Sequence, residues 1–443
     1  MYCKLQPGWA GIGRTHNLVI MVSVVLGTTS LGRTDTSVWT AELPTAVSVV
    51  RMSADGSICL TVESTPDQEL ANSSSSVNVW DLNNKSKLAM SGVTFTVSDA
   101  SISNDGQTVA IAGKHLGHPS QRPEVGIWDA ATGKLKKTLV APGQVDVFPL
   151  RPNGKMLATG ELITDVAEAT RRKAQVKTWD PITGKLLRRV DCATLAVSKI
   201  VFTSDSRVFC GHGGIEVAHW TNPAERIPLS KTIISPWHFR ELEVHCFEFA
   251  PDTTRLVAVL EDAAPSSARE CQVRTWNAGF DERQVSLVGV QHIAHAVLSR
   301  DTALLAARKV DRNDPPTKLM LWDTTTGLLH CELEQSDTRI DCLAFSKSGR
   351  QVVAATTPQG NNLPIQIHSW SVDDGERLGS VDVPSGRITT MEFTPDDRQL
   401  VCGGSSGIGP HATGLFTVVD TTELLDGMSG RFATVTLEAI GSN

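Results

Sequence analysis

Histidine side chains are the first candidates for chemistry in this sequence, because imidazole nitrogens bind transition metals. Four of them fall in predicted loops at comparable places of a repeated pattern: His115, His118, His212 and His411. A zinc site needs three or four ligands that converge on one ion at roughly 2.0–2.1 Å. His115 and His118 share one predicted loop, whereas His212 and His411 belong to two other repeats, and a wide ring would hold these three loops apart. The sequence therefore predicts no metal site and no cofactor.

A second histidine pair and one cysteine have simpler interpretations. His292 and His295 begin a predicted strand, where we expect them to pack against a neighbouring repeat or to form local hydrogen bonds. Cys210 lies two residues before His212, a spacing that does not by itself indicate an activated thiol. The sequence has no G-x-S-x-G elbow, no phosphate-binding loop and no H-E-x-x-H motif. We therefore predict that the protein is not an enzyme.

The pattern that must position these residues is clearest at residues 127–135, which read Ile-Trp-Asp-Ala-Ala-Thr-Gly-Lys-Leu. It predicts a strand, a tight turn and a second strand, because the aspartate accepts hydrogen bonds from turn amides and the glycine supplies a positive φ. The tryptophan is expected to fill the core between repeats. The recurring markers are Trp80, Asp81, Trp128, Asp129, Trp179, Asp180, Trp220, Trp276, Trp322, Asp323 and Trp370, with a weaker copy at Val419 and Asp420.

A polar hairpin turn precedes each marker. The first, at residues 53–56, reads Ser-Ala-Asp-Gly and joins two apolar runs, which is a strong hairpin signal. Each repeat thus has strand a, a short turn, strand b, a variable loop, strand c that ends at the tryptophan, a short turn and strand d. We predict an all-β fold, a β-propeller of four-stranded antiparallel blades, with eight blades favoured and seven as the alternative.

The Trp-Asp pairs and the hairpins resemble the WD40-repeat family, and in particular the repeats of large bacterial WD-repeat proteins. The pairs lie at residues 80–81, 128–129, 179–180 and 322–323, and the resemblance covers roughly residues 38–440. One feature departs from the family. Most repeats lack the Gly-His dipeptide that usually precedes strand a, so the buried Asp-His-Ser/Thr-Trp network that the resemblance implies is expected to be incomplete.

The predicted domain organisation is a single WD40-like propeller over residues 37–443, preceded by residues 1–36. We expect the ring to close by pairing of residues 38–43 with residues 434–437 in one blade. The first 36 residues permit three interpretations: a degenerate partial repeat that ends at Trp39, a signal segment over residues 14–32, or a disordered leader.

Composition limits the classes of partner and the cell compartment that we expect for this protein. A net charge of −7 argues against a nucleic-acid partner, because such affinity comes largely from Lys and Arg contacts to phosphates. The nine cysteines lie mostly in apolar runs and are expected to be small core side chains in a reducing compartment. We therefore expect a cytoplasmic protein without a membrane span, exported only if residues 14–32 act as a signal, and a monomeric ring.

Loop lengths indicate where a partner would bind. Antiparallel strands place the a–b and c–d turns on one face and the b–c and d–a connections on the other, and the predicted b–c loops vary most. We predict a non-catalytic interaction scaffold that presents this b–c/d–a face to a protein or peptide. The alternative is a propeller enzyme or small-molecule binder acting at the central channel. The predicted partner-binding residues are Arg171, Arg172, Lys173, Trp237, His238, Phe239, Glu261, Asp262, Arg308, Lys309 and Arg312.

Overall fold

The computed structural model describes most of the chain between residues 38 and 425. The described residues are 38–63, 75–114, 124–140, 144–147, 154–164, 172–191, 199–202, 208–211, 215–218, 226–227, 242–250, 255–262, 271–277, 282–290, 292–309, 318–333, 339–357, 364–383, 386–406 and 413–425. In this part of the chain no helix is long and apolar enough to cross a membrane. The helix found there is a single 3-10 turn at Thr421–Leu424.

Alternating apolar and polar residues produce strands throughout the described chain. The first strands are β1 (Val38–Leu43), β2 (Val47–Met52), β3 (Ile58–Glu63), β4 (Ser76–Asp81), β5 (Ser86–Ala89), β6 (Thr96–Ile102), β7 (Thr108–Lys114), β8 (Glu124–Asp129) and β9 (Leu135–Val140). The next are β10 (Gln144–Val147), β11 (Leu157–Thr164), β12 (Arg172–Trp179), β13 (Leu186–Asp191), β14 (Lys199–Phe202), β15 (Val208–Gly211), β16 (Ile215–Ala218) and β17 (Arg226–Ile227).

The second half of the chain continues in the same way. It contains β18 (Leu242–Phe249), β19 (Arg255–Asp262), β20 (Cys271–Asn277), β21 (Glu282–Ser286), β22 (Ile293–Leu298), β23 (Leu304–Lys309), β24 (Leu319–Asp323) and β25 (Leu329–Leu333). It ends with β26 (Arg339–Phe345), β27 (Gln351–Thr357), β28 (Ile365–Ser371), β29 (Arg377–Val383), β30 (Arg387–Phe393), β31 (Gln399–Ser406) and β32 (Thr413–Asp420).

These strands form eight antiparallel sheets of four strands within the described residues. Sheet 1 is β2–β5, and sheets 2 to 7 follow with four consecutive strands each, from β6–β9 to β26–β29. Sheet 8 has the order β1-β32-β31-β30 and therefore combines both ends of the described chain. Neighbouring sheets touch through their first strands, since β18 contacts β22, β22 contacts β26, β26 contacts β30, and β30 contacts β2. Strand a is thus the innermost strand of these sheets.

The marker tryptophans pack between sheets, as predicted. Trp128 is fully buried in a cluster with sheet 1 residues, and Trp322 is fully buried in a cluster with sheet 5 residues. Their indole nitrogens reach into the preceding sheet's connection: Trp128 Nε1 donates to the carbonyl of Ser91 at 2.8 Å, and Trp322 Nε1 to that of Val288 at 3.2 Å. A buried aromatic of this size contributes about 3–5 kcal/mol to stability. Trp220 lies outside the described residues.

The a–b hairpins satisfy their own polar groups. The Ser53 hydroxyl donates to Asp55 Oδ1 at 2.6 Å, and the Ser299 hydroxyl donates to Asp301 Oδ1 at 2.6 Å. In sheet 8 a threonine does the same, from Thr394 to Asp396 at 2.7 Å. These hydrogen bonds lower the pKa of Asp55 below its ordinary value. The predicted turns therefore form as local, self-contained units.

The closing strand is paired within sheet 8. β1 pairs with β32 in register from Val38 opposite Val419 to Leu43 opposite Gly414. The predicted partner segment, residues 434–437, lies outside the described residues. The pair is backed by Trp39, whose ring centroid is 5.5 Å from Phe416 and 6.2 Å from Trp80 of sheet 1. The predicted closing segment, residues 38–43, is thus confirmed as a strand of sheet 8. Trp39 also lies in an outer strand, so it is not the end of a strand c in a further repeat.

A buried ion pair lies in sheet 3. Lys177 Nζ is 2.5 Å from Glu161 Oε2, and both residues are buried. Thr159 donates to Glu161 Oε1 at 3.1 Å and accepts from Trp179 Nε1 at 3.0 Å. Because the cation and the carboxylate have no access to water, each depends on the other.

Sheet 1 repeats this arrangement with a neutral partner. Trp80 Nε1 donates to Thr61 at 2.9 Å, and Glu63 is buried beside Asn78, whose amide donates to Glu63 Oε1. An asparagine cannot balance the carboxylate charge, so burial raises the pKa of Glu63 to about 7. Burial therefore favours the protonated form of this carboxyl group.

The two buried glutamates predict opposite mutational effects. Because the folded-state pKa of Glu63 lies above its unfolded value, its contribution is retained at low pH and lost as pH rises toward 7 and beyond. Glu63→Gln should therefore raise the melting temperature at about pH 8, by the equivalent of up to roughly 3 kcal/mol. Glu161→Gln should lower it at the same pH, since Lys177 loses its partner at a cost of about 3–5 kcal/mol. Thermal unfolding of both variants across pH checks this, and equal shifts would contradict it.

Removal of the closing strand should weaken the ring. A chain that begins at residue 37 keeps β1, whereas one that begins at residue 44 exposes the edge of β32 and the ring of Phe416. We expect the shorter chain to melt at a clearly lower temperature and to aggregate more readily through the open edge. Calorimetry and light scattering measure both properties. Identical melting temperatures for the two chains would show that β1 contributes nothing to closure.

Candidate functional site

Charged residues gather where strands a begin and strands b end in sheets 6, 7 and 8. This end of the strands belongs to the b–c/d–a face, and strand a is innermost, so the residues lie at the inner edge of that face. We call the group the inner-rim cluster; it consists of His295, Arg308, Arg339, Asp341, Thr357 and Arg387. Its members come from three neighbouring sheets, so the cluster forms only when these sheets pack together.

Asp341 is the shared acceptor of the cluster. Its side chain is 1% exposed, and its Oδ1 accepts from Arg339 Nε and Nη2 at 2.9 Å each and from Arg387 Nε at 3.2 Å. Its Oδ2 accepts a hydrogen bond from the hydroxyl of Thr357. Asp341 thus joins β26, β27 and β30 through charge-assisted hydrogen bonds, which are about twice as strong as neutral ones.

Arg308 has no such partner. It lies near the end of β23, opposite Ala294, and its Nε is buried without a hydrogen-bond partner among the described residues. Burial lowers the pKa of Arg308, and the positive charge of Arg339 lowers it further. The guanidinium nevertheless stays charged, because arginine remains protonated in proteins. The cluster therefore has three guanidinium groups and one carboxylate.

His295 adds a neutral group in an unusual backbone position. Its φ is 50° within β22, where the pairing with β23 shifts register between Ala294 and Val297. This left-handed conformation costs a non-glycine residue of order 1–3 kcal/mol. Burial lowers the pKa of His295, and the charge of Arg308 lowers it further, so the imidazole is neutral at neutral pH. The bulge turns the strand at the point where the cluster forms.

Two of the sequence-predicted partner residues are placed at this rim. Arg308 belongs to the cluster, and Lys309 follows it at the end of β23, so both lie on the predicted face. Glu261 behaves differently, because it is only 7% exposed and its carboxylate bonds to His292 Nδ1 and to the backbone N–H of Ile293. It links sheets 5 and 6 instead of presenting a surface. The expectation that His292 contacts a neighbouring repeat is confirmed.

The remaining predicted residues are only partly described. Arg172 and Lys173 begin β12 and Asp262 ends β19, all at the b–c/d–a end of their strands, with side chains outside the described residues. Arg171, Trp237, His238, Phe239 and Arg312 lie outside them altogether, as do His115, His118, His212 and His411. Within the described chain, no group of three metal-binding side chains occurs.

Sequence reasoning missed Arg339, Asp341 and Arg387. A signal existed, since Arg-Ile opens strand a in two consecutive sheets, at residues 339–340 and 387–388. A repeated arginine at an innermost strand end indicates a shared position on the ring. Asp341 could not be assigned in the same way, because its exposure is decided by packing against two other strands.

The described cysteines are free thiols in or beside the core. Cys59, Cys271 and Cys402 are buried, and Cys246, Cys331 and Cys342 are partly buried. Burial raises the pKa of Cys271 to about 12 and that of Cys342 to about 11, so neither thiol ionises at neutral pH. They act as small apolar side chains, as predicted. Cys3 and Cys192 lie outside the described residues.

Asp341 is expected to be essential for the stability of the inner rim. Asp341→Ala leaves two arginine side chains facing one another without their carboxylate, which should cost about 1–3 kcal/mol. Added salt should restore part of this loss, because it screens the repulsion between the guanidinium groups. The control is Glu332→Ala, because Glu332 and its ion-pair partner Lys318 are 45% and 46% exposed, so the effect should be below about 1 kcal/mol. Denaturant titrations at low and high salt decide between these values.

Comparisons with known proteins support the fold. No protein-family model and no curated protein matches this sequence. Among solved structures, the Dos1 propeller aligns with a TM-score of 0.61 at 13% identity, covering 90% of this chain and 99% of that one. The Cps50 (Swd1) β-propeller domain of Myceliophteria thermophila gives a TM-score of 0.48 at 14% identity, covering 84% and 96%. The first likeness shows a β-propeller, which confirms the predicted all-β architecture of four-stranded antiparallel sheets.

Proposed function

We propose that this β-propeller is a non-catalytic protein-interaction scaffold that binds a protein or peptide partner on its b–c/d–a face. The observation that carries the proposal is the contrast between the connections on the two faces. On one face the a–b and c–d turns have four to nine residues, and on the other the b–c and d–a connections have three to fourteen.

The a–b and c–d turns leave little for a partner to recognise. The a–b turns at residues 53–57, 103–107, 299–303, 346–350 and 394–398 have equal lengths. Their polar side chains bond within the turn, as in Ser103 to Asp105. The c–d turns are similarly closed, since Asp323 accepts hydrogen bonds from the backbone N–H groups of Thr325 and Thr326. This face is built for stability.

The opposite face has the variation that recognition requires. Its b–c connections range from residues 212–214 to residues 64–75, and its d–a connections from residues 44–46 to residues 228–241. Irregular connections held by a rigid repeat array usually form the binding face of such a protein. The charged strand ends of the inner-rim cluster open on the same face, which favours selection of a partner by charge.

Several finer features belong to the same proposal. The eight sheets are taken as the eight blades of one ring over residues 37–443, closed by β1 and β32. The repeats are taken as WD40 repeats of the bacterial type, in a monomeric protein of the cytoplasm. The partner-binding residues are those predicted from the sequence, except Glu261, whose carboxylate is occupied between sheets.

A second candidate function rests on a cavity of about 830 Å³ at the a–b end of the innermost strands. It is lined by Glu248, Ala296, Phe345, Lys347 and Glu392, among others. Lys347 and Glu392 form an ion pair of 3.0 Å there. This volume is in the range of small-molecule sites, so a ligand or substrate of the central channel is the alternative. Tightly bound metal together with turnover in a hydrolase and dehydrogenase panel would favour it over the scaffold.

Charge reversal on the two faces tests the scaffold proposal. Replacing Arg171, Arg172 and Lys173 with glutamate should reduce partner capture at least about tenfold, because the introduced carboxylates would repel a partner that is attracted to positive charge. The matched change of Lys134 and Lys185, which are exposed on the a–b/c–d face, should leave capture unchanged. Immobilised wild type and variants are compared by pull-down from the native cell with quantitative mass spectrometry. Equal losses for both sets would remove the basis of the face assignment.

A further inference from the structure

We propose that the inner-rim cluster is a binding site for the carboxylate of an aspartate or glutamate in an acidic segment of the partner protein. Arg308, Arg339 and Arg387 would bind the carboxylate, with His295 beside it. The inference rests on the proposed scaffold function and names the chemistry of the partner at one point of the b–c/d–a face.

The first argument is the uncompensated charge. Asp341 is the one carboxylate of the cluster; it forms ion pairs with Arg339 and Arg387, and its charge also acts on Arg308 without a hydrogen bond. Two positive charges therefore remain in a region enclosed by three sheets. An excess of this kind is unfavourable unless an anion arrives, because like charges held together repel one another. The protein as a whole is acidic, at −7, so this local excess opposes the general charge.

The second argument is accessibility. The side chains of Arg339 and Arg387 are 54% and 51% exposed, whereas that of Asp341 is 1% exposed. The carboxylate thus lies beneath the guanidinium groups and fixes them from the protein side. Their outer edges face solvent at the inner rim. A fixed, half-exposed guanidinium presents several N–H donors in a set direction, which reduces the entropy lost on binding.

The third argument is the unfilled donor of Arg308. Its Nε is buried and has no acceptor among the described residues, and a buried donor without a partner costs about 1–3 kcal/mol. A carboxylate suits this group, because its two oxygens match two parallel N–H donors of one guanidinium. Binding of an acidic side chain would both satisfy this donor and neutralise part of the excess charge.

The strained backbone at His295 is consistent with a built site. Among the described non-glycine residues with positive φ, His295 is the one that lies within a strand, and the others, Lys85, Thr302 and Asp397, lie in turns. Strain at a strand end next to a group of charges is typical of binding sites. The neutral imidazole can donate one hydrogen bond to a carboxylate without adding to the charge.

The carboxylate is favoured over a phosphate by what the structure already contains. Asp341 shows that a carboxylate fits between two of these guanidinium groups at distances of 2.9 and 3.2 Å. Phosphorylated segments are therefore the outcome to be excluded.

The test uses the full chain and a short fluorescein-labelled peptide that alternates glutamate and glycine. Fluorescence anisotropy should show saturable binding that weakens with added salt, and no binding of the matching glutamine peptide. Arg308→Gln should weaken binding about tenfold to a hundredfold, the equivalent of one lost charge-assisted hydrogen bond. Arg308→Lys should lose less, because it keeps the charge and loses only the fork of donors.

Matched controls separate the cluster from general surface charge. Arg350→Gln and Arg398→Gln remove exposed arginines from the a–b turns of sheets 7 and 8 and should leave the peptide affinity unchanged. Melting temperatures of all variants show whether a loss reflects unfolding. Arg308→Gln is the primary variant because it leaves in place the hydrogen bonds that Asp341 accepts from Arg339 and Arg387.

Three results would overturn the inference: no binding of the glutamate peptide, equal loss in the Arg350 and Arg308 variants, or tighter binding of a phosphoserine peptide through Arg308. The scaffold proposal fails separately. If the loop variants at residues 171–173 still abolish partner capture while Arg308→Gln does not, the scaffold remains and the cluster is excluded. If the loop variants leave capture unchanged while the glutamate peptide still binds through Arg308, the carboxylate site remains and the scaffold proposal fails.

Discussion

A four-stranded sheet with two apolar faces cannot cover itself, and this constraint governs the whole molecule. Sheets 2 and 6 each bury one face against the sheet before them, through Trp128 and Trp322 respectively. A linear stack would leave its first and last faces exposed to water. Packing of sheet 8 against sheet 1 removes this problem, and Trp39, Trp80 and Phe416 fill the joint. Closure of the ring is therefore needed to bury the apolar faces of the first and last sheets.

Local features of the fold could be predicted from the sequence because their causes are local. The Ser53–Asp55 hairpin depends on residues two positions apart, and the tryptophan markers repeat at the same place in strand c. The pairing of β1 with β32 could not be predicted in this way, because it depends on where the ring brings the last sheet.

The inner-rim cluster shows the same limit for function. Arg387 and Asp341 are 46 positions apart in sequence, and their contact exists only because adjacent sheets bring their first strands together. Arg308 is predicted in a loop of the b–c/d–a face, and it lies near the end of β23 at that face. What the sequence did not show is that its neighbours are other arginines and a single buried carboxylate. The face on which a residue lies can thus be predicted from its place in the repeat. The groups that surround it cannot, because they come from other repeats.

The pairing of β1 with β32 also sets an order in time. Thr40 and Thr417, whose hydroxyl groups are 3.1 Å apart, are separated by 377 positions. At a synthesis rate of roughly 5–20 residues per second, β1 leaves the ribosome about 20–75 seconds before its partner. During that interval an apolar strand must wait unpaired, and the growing sheets have one uncovered face. β32, the last strand of the described residues, is therefore the one that pairs with β1, and a chain released before β32 is made lacks this pairing.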